Sequence, residues 1–343
     1  MESNNTQLSR SECQGVTVSV LVAVYNNARY LPRCLDSQLR QTLADIQVIC
    51  VDDASTDGSY NILLNYAAKD KRIELVRLKS NGGVGHARNV ALGKARGKYI
   101  AFLDSDDWMA DDCLEKAVKE FEAHPKTGCV LLKAVYCYPD GRKVDFQMPS
   151  FDTMPGYEAF VKSLTWGIHG IYVVSADIHK RFPYDETCRT YSDENTTRLH
   201  YYASDEVRTC QGIYYYRQNP DSVTHSVSAS RFDYLTANMS MRRTLQELKV
   251  PQEVLAMYER FRWLNVIDQY MFWYCHHGEL TKEGSRYGMD MIHRAWQSID
   301  IRAVPLRLRM KFGFKPFRYC WWMFRAEEDL YFFLRKLFGR LKA

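Results

Sequence analysis

The run Phe102-Leu103-Asp104-Ser105-Asp106-Asp107-Trp108 places two carboxylates, Asp104 and Asp106, two positions apart at the end of an apolar stretch. Alternate side chains of an extended chain share a face, so both carboxylates can turn toward one cation. An all-oxygen pair suits a hard ion, Mg²⁺ or Mn²⁺, whose open positions accept the oxygens of a diphosphate. Such an ion neutralises a departing nucleoside diphosphate as a Lewis acid. The plainer reading is a solvated acidic turn that caps a helix near Asp111.

A second acidic segment, Asp52-Asp53-Ala54-Ser55-Thr56-Asp57-Gly58-Ser59, also follows an apolar run. Asp53 can accept a hydrogen bond from the N–H edge of a base, whereas Asp57 and Ser59 read as caps of the next helix. A third segment, Asn81-Gly82-Gly83-Val84-Gly85-His86-Ala87-Arg88-Asn89, is rich in glycine. It misses the dinucleotide fingerprint, because Arg88 stands where the last glycine would be and the first strand ends in no glycine loop. Glycines at a helix start instead let backbone N–H groups approach a phosphate.

The elements that must position these residues follow from the apolar pattern. Thr17–Val24 is a continuous β-branched run, as expected for a strand buried on both faces. Helical spacing over about 30–40 precedes a second such strand at 46–51. A helix at 59–68, a strand at 73–78, a helix at 84–95 and a strand at 99–103 complete a β-α-β-α-β-α-β series. That alternation predicts an open, mostly parallel sheet whose ligands sit beyond the carboxyl ends of the strands. All the polar clusters fall there, including Tyr25-Asn26-Asn27 after the first strand. A helix is expected at 111–123, a less regular stretch to about 228, and helices beyond 231.

In order and spacing, Val18–Asn26, Asp52–Ser59, Asn81–Asn89 and Gly97–Asp107 resemble family 2 glycosyltransferases. The resemblance runs over about 16–225. It implies the A-type glycosyltransferase fold, a divalent metal and inversion at the sugar's anomeric centre. Carried over to these positions, it implies that Ala23, Tyr25 and Asp53 line the nucleoside pocket. Asp104 and Asp106 would hold the metal and diphosphate, and Arg88 would lie near the phosphates or the donor sugar. Inversion needs a base that deprotonates the acceptor on the face opposite the leaving group. The family's late acidic pair is matched by Asp193-Glu194, in reversed order, so either residue can be that base; the other reading is that both cap the following helix. Arg217, in Tyr214-Tyr215-Tyr216-Arg217, is a candidate for the diphosphate, since a planar guanidinium binds phosphate in two places. His225 is a candidate third metal ligand. Trp166 and His169 are candidates for the acceptor site.

Composition sets the remaining bounds. The 343 residues are 46% hydrophobic and 25% charged, an ordinary folded composition. The expected division is a short N-terminus at 1–15, a catalytic domain at 16–228 and a helical region at 229–343. Residues 301–343 carry 11 Lys and Arg against 3 Asp and Glu, a net of +8. There the basic residues alternate with large aromatics, which suits a membrane surface of anionic lipid. The competing reading is a helical hairpin whose aromatics pack on the protein. Nucleic acid is not expected as a partner. Ten cysteines without a C-x-x-C pair, and no signal-peptide pattern, lead to the expectation of a cytoplasmic protein at the inner face of the cell membrane. The expected activity is transfer of a sugar, with UDP as the favoured donor nucleotide, to a glycan or lipid-linked acceptor of a cell-surface polysaccharide. The first strand lacks the Arg-bearing glycine loop of a nucleotidyltransferase. A non-catalytic nucleotide-binding or scaffold relative of the same fold is the alternative.

Overall fold

The apolar runs separate into two faces of one sheet. In β1 (Val18–Val24), Val18, Val20, Val22 and Val24 turn to one side and Leu21 to the other. That strand is covered on both faces, which is why its sequence does not alternate with polar residues. The computed structural model describes residues 15–188, 190–218 and 227–339.

The order continues α1 (Leu31–Leu39), β2 (Ile46–Asp52), α2 (Ser59–Lys69), β3 (Ile73–Arg77), α3 (Val84–Leu92) and β4 (Tyr99–Phe102). Next come β5 (Trp108–Met109), α4 (Cys113–Ala123), β6 (Thr127–Cys137), β7 (Lys143–Asp145), β8 (Thr153–Pro155), α5 (Gly156–Ser163), β9 (Tyr172–Ser175) and α6 (Ala176–Arg181). The α/β part closes with α7 (Ser192–Ala203) and β10 (Glu206–Arg217). Helices α8 (Asp233–Glu247), α9 (Gln252–His276), α10 (Lys282–Ser298), α11 (Leu306–Arg309) and α12 (Trp321–Leu337) follow.

The sheet runs β3-β2-β1-β4-β9-β6-β10-β5. β3, β2, β1 and β4 are parallel, as the first hundred residues predict. β9 then enters antiparallel to both β4 and β6, and β6 pairs in parallel with β10. The stretch after residue 123 is therefore far more regular than its sequence suggests. It supplies the sheet's second half through pairings between segments some 80 residues apart.

One face of the sheet is covered by Leu31, Leu35, Leu63, Leu114 and Phe121 from α1, α2 and α4. The other is covered by Ala87, Phe160 and Tyr201 from α3, α5 and α7, and also by Met241, Leu245 and Tyr258 from α8 and α9. The C-terminal helices thus complete the core of the α/β part. Their own core gathers Phe232, Trp263, Tyr270, Ile292, Trp296, Phe324 and Phe332.

Helix α12 carries two apolar faces. Phe324 and Phe332 are buried against α9 and α10, in line with the packed-hairpin reading. Trp322, Met323, Leu330, Phe333 and Leu337 are exposed. At about 100° per residue they fall on a single arc roughly 100° wide. The tail's aromatics are therefore shared between a packed face and an exposed stripe. No described helix is long and apolar enough to cross a membrane.

Candidate active site

The strand ends carry loops that hold one another. After β1, Asn26 Oδ1 accepts from the Thr56 amide at 2.7 Å, Asn27 N donates to Ser59 Oγ at 2.8 Å, and Asn27 Nδ2 donates to Ser105 Oγ at 2.7 Å. Asp57 takes the Ala28 amide at 3.0 Å and the Ser59 amide at 2.9 Å, so it braces a loop besides serving the start of α2. Asp53 accepts from the amides of Gly82 and Gly83 at 2.7 and 2.8 Å. Gly83 sits at φ +89°, a backbone shape that glycine adopts freely. The sequence reading aimed those amides at a phosphate; in the structure they are held by Asp53 instead.

The aspartate loop after β4 is pinned from below. Tyr214 of β10 donates its hydroxyl to Asp107 Oδ2 at 2.8 Å and accepts from the Asp104 amide at 3.2 Å. Asp107 also takes the Arg217 amide at 2.7 Å. Burial, with Asp104 and Asp106 beside it, pushes the Asp107 carboxyl well above the usual range. Asp107 is thus a structural pin, and Asp104 and Asp106 are the pair that faces outward.

Asp104, Asp106, Ala23, Tyr25, Asp53, Arg88 and Asp193 line a single cavity of 690 Å³. Six residues read from the first hundred or so positions meet there with one from α7. Arg88 is buried beneath it, with Nη2 2.5 Å from Asp104 Oδ1 and Nη1 3.7 Å from Asp193 Oδ2. The guanidinium lies 4.7 Å from the ring centre of Phe102 and 5.3 Å from that of Tyr184. Burial opposes its charge, yet the Asp104 and Asp193 carboxylates, with Tyr184 and Tyr214, hold it above its ordinary value. Asp193 reaches the cavity because α7 starts directly against α3. A Cβ on Gly85 would stand 2.7 Å from Ser192 Cβ, so only glycine allows that approach.

Burial first, and Asp104 second, raise the Asp106 carboxyl to about 6. Two carboxylates crowded at one rim fit a cation, which would relieve both effects. Arg88 already occupies Asp104 Oδ1, and no cluster of three or more His, Cys, Asp or Glu suited to a metal occurs among the described residues. An ion here would therefore draw its other ligands from the donor and from water, the usual habit of Mg²⁺.

Adjacent residues on a helix point about 100° apart, so Asp193 and Glu194 cannot both face the cavity. The Asp193 side chain is 48% exposed and faces it. The protein wall that displaces part of its water raises its carboxyl, Arg88 works against that, and Asp104 adds to the rise. Glu194 is 2% exposed and forms an ion pair with buried Arg198 at 2.6 Å. It lies outside the cavity.

Four other expectations fare differently. Arg217 does not line this cavity: its Nε donates to the Asp106 carbonyl at 2.7 Å and its guanidinium stacks near Tyr30 and Trp108. Trp166 lies beside the Arg198 guanidinium at 5.3 Å, donates to the Tyr234 hydroxyl and does not line the cavity. His169 is buried against Phe146, accepts from the Ile171 amide, and is driven down to about 4 by burial. It is a core residue. His225 lies outside the described residues. Thr190, Tyr191, Tyr216, Ser230 and Asp233 also line the cavity; Tyr191 and Tyr216 flank the candidates Asp193 and Arg217 in sequence, whereas Thr190, Ser230 and Asp233 belong to no motif.

Residues 19–177 match the family model described as Glycosyl transferase family 2. The uncharacterized glycosyltransferase EpsJ of Bacillus subtilis is 30% identical over 217 residues, which cover 60% of this chain and 62% of that protein. Chondroitin synthase of Pasteurella multocida is 35% identical over 136 residues, 39% of this chain and 14% of the synthase. The chain therefore spans under two thirds of either relative. Among solved structures, S. aureus TarS 1-349 in complex with UDP superposes with a TM-score of 0.67 at 19% identity, covering 95% of this chain and 93% of that one. The likeness to TarS establishes the A-type glycosyltransferase fold. Residues 19–177 thus carry the match to glycosyltransferase family 2, and the fold of the chain agrees with it.

Proposed function

We propose that the chain transfers a sugar from a nucleotide-diphosphate sugar to a glycan or lipid-linked acceptor, with inversion, in cell-surface polysaccharide synthesis. The observation that carries this is the convergence of Tyr25 and Asp53, the Asp104/Asp106 pair, Arg88 and Asp193 in one 690 Å³ cavity. UDP is the favoured nucleotide, with Asp53 toward the base edge and Tyr25, half-exposed at the rim, as a stacking face. The structural relative TarS has been solved with UDP and with UDP-GlcNAc, which supports the same class of donor here.

Asp104 and Asp106 would hold Mn²⁺ or Mg²⁺, which when bound neutralises the diphosphate as it leaves. Asp193 takes the proton from the acceptor hydroxyl as that oxygen attacks the anomeric carbon. The bond from that carbon to the diphosphate breaks, and its electron pair leaves with the phosphate. A carboxyl held above the ordinary aspartate range is a stronger base for this step than an unperturbed surface aspartate. Arg88, tied to Asp104 and close to Asp193, fixes the separation between the leaving-group side and the base.

A thermal-shift screen of UDP, GDP, CMP and dTDP, each with and without Mn²⁺, tests the donor assignment. UDP with Mn²⁺ raises the melting temperature, by the equivalent of about 2.7 kcal/mol when the nucleotide is at a hundred times its Kd. The shift shrinks on adding EDTA and in Asp106→Asn. No shift with any nucleotide would favour a non-catalytic relative of the fold.

The exposed stripe of α12 is proposed to lie on an anionic membrane surface, with Arg307, Arg318 and Lys336 supplying charge. The protein then co-sediments with phosphatidylglycerol vesicles and not with phosphatidylcholine. Trp322→Glu with Phe333→Glu abolishes that binding. Equal sedimentation of the double variant would leave the stripe without this role.

A further inference from the structure

A second cavity, of 420 Å³, lies beside the donor cavity and shares no lining residue with it. Its volume is that of an ordinary small-ligand site. Arg29, Arg33, Lys143 and Arg217 line it together with Tyr30 and Trp108, and among the described residues no acidic side chain does. The neighbouring Lys133 and Arg142 pair with Asp145 and Asp140. Among the described residues, the four cations of the cavity form no ion pair; aromatic rings lie against them, and Arg217 also donates to the Asp106 carbonyl.

Arg33 stacks 3.4 Å over the Trp108 ring centre, and Arg217 lies 4.6 Å from that of Tyr30. Lys143 sits 4.8 Å from the ring of Tyr215, and Arg29 lies 5.2 Å from that of Tyr30. A guanidinium laid flat on a ring keeps its N–H edge for an acceptor. Four like charges around one hollow also repel one another, and an anion placed among them removes that penalty. Burial and the neighbouring Arg217 pull Arg33 below its ordinary value, the direction expected of such crowding.

We propose that this cavity is an anion subsite for the acceptor: it takes a phosphate or carboxylate carried by the chain that receives the sugar. The assignment rests on the donor reading above. In that reading the diphosphate would be met by the divalent ion that Asp104 and Asp106 would hold, with Arg88 beneath. The second group of cations is left for the other substrate. The two sites meet at Asp106, whose carboxyl lines the donor cavity while its carbonyl accepts from Arg217 of the second. An anion seated here would stand beside the metal loop, so the acceptor would be recognised by its charge close to the reacting centre.

The test uses the full chain with UDP and Mn²⁺ present, and three probes titrated by calorimetry. Glycerol 3-phosphate and methyl β-glucuronide carry the two candidate anions, and methyl β-glucoside is the neutral control. Both anions are expected to bind, the phosphate and carboxylate arms ranking the source, while the glucoside does not. Arg33→Ala and Lys143→Ala each weaken the anions about tenfold, as loss of one charge-assisted hydrogen bond does, and leave UDP affinity unchanged. Lys143 lies on an exposed strand, so its variant remains informative if Arg33→Ala folds poorly. Equal binding of charged and neutral probes, or no binding of any, with UDP still bound, overturns the proposal. A parallel loss of UDP affinity in either variant would make the cavity part of the donor site. If UDP fails to bind the unaltered protein, the donor reading falls first and the acceptor role falls with it.

Discussion

Asp193→Asn lowers the rate of sugar transfer by about a thousandfold and leaves UDP affinity unchanged. The amide keeps the shape of the side chain and its place beside Arg88, but it cannot accept the acceptor's proton. General-base catalysis contributes about 10²–10⁴ in rate, which sets the size of the effect. A single-turnover measurement with donor bound in advance separates this loss from any change in donor binding. A variant within a few-fold of the unaltered rate would move the base to another residue.

Glu194→Ala produces the opposite signature. The Glu194–Arg198 pair is nearly inaccessible to solvent, and Arg198 further donates to Asn195 and to the carbonyls of Ser163 and Leu164. Removing the acid leaves a buried guanidinium uncompensated, which costs about 3–5 kcal/mol. Urea unfolding should show that loss, while the folded fraction keeps its ability to bind UDP. A change below about 1 kcal/mol would mean that water or the two carbonyls already satisfy Arg198. The two variants together divide the acidic pair into a group that acts on substrate and a group that, through Arg198, holds α7 to the end of α5.

The first half of the fold was legible because β1, β2 and β4 are covered on both faces and therefore carry nearly unbroken apolar runs. β6 and β10 escaped because their sequences mix Lys133 and Arg208 with apolar residues, and their register shifts between Thr209 and Ile213. Their pairing also joins segments far apart in sequence, which local periodicity does not report. Six of the site residues, Ala23, Tyr25, Asp53, Arg88, Asp104 and Asp106, could be read because they belong to motifs set at the ends of the first strands in fixed order. The choice between Asp193 and Glu194 could not be, since it depends on the rotation of α7, which Gly85 and Ser192 set by contact. Arg217 was placed by its chemistry near a phosphate, but its direction follows from the backbone bond to Asp107 and the stack on Tyr30. Residue type alone singles out Trp166 and His169; His169 is buried in the core, whereas Trp166 stays partly exposed beside Arg198.

The strand-end loops are joined to one another through Asn26, Asn27, Asp53 and Asp57, with main-chain amides as most of the partners. Their shape is thus fixed by the protein before any nucleotide arrives. Little conformational entropy remains to be lost when the donor binds, so contacts with the base and phosphates pass into affinity almost undiminished. The same bracing makes the donor end intolerant of drift: a substitution at any one of these four side chains loosens two loops at once. The acceptor side, outside that lattice of bonds, is where this architecture can change specificity without dismantling the site.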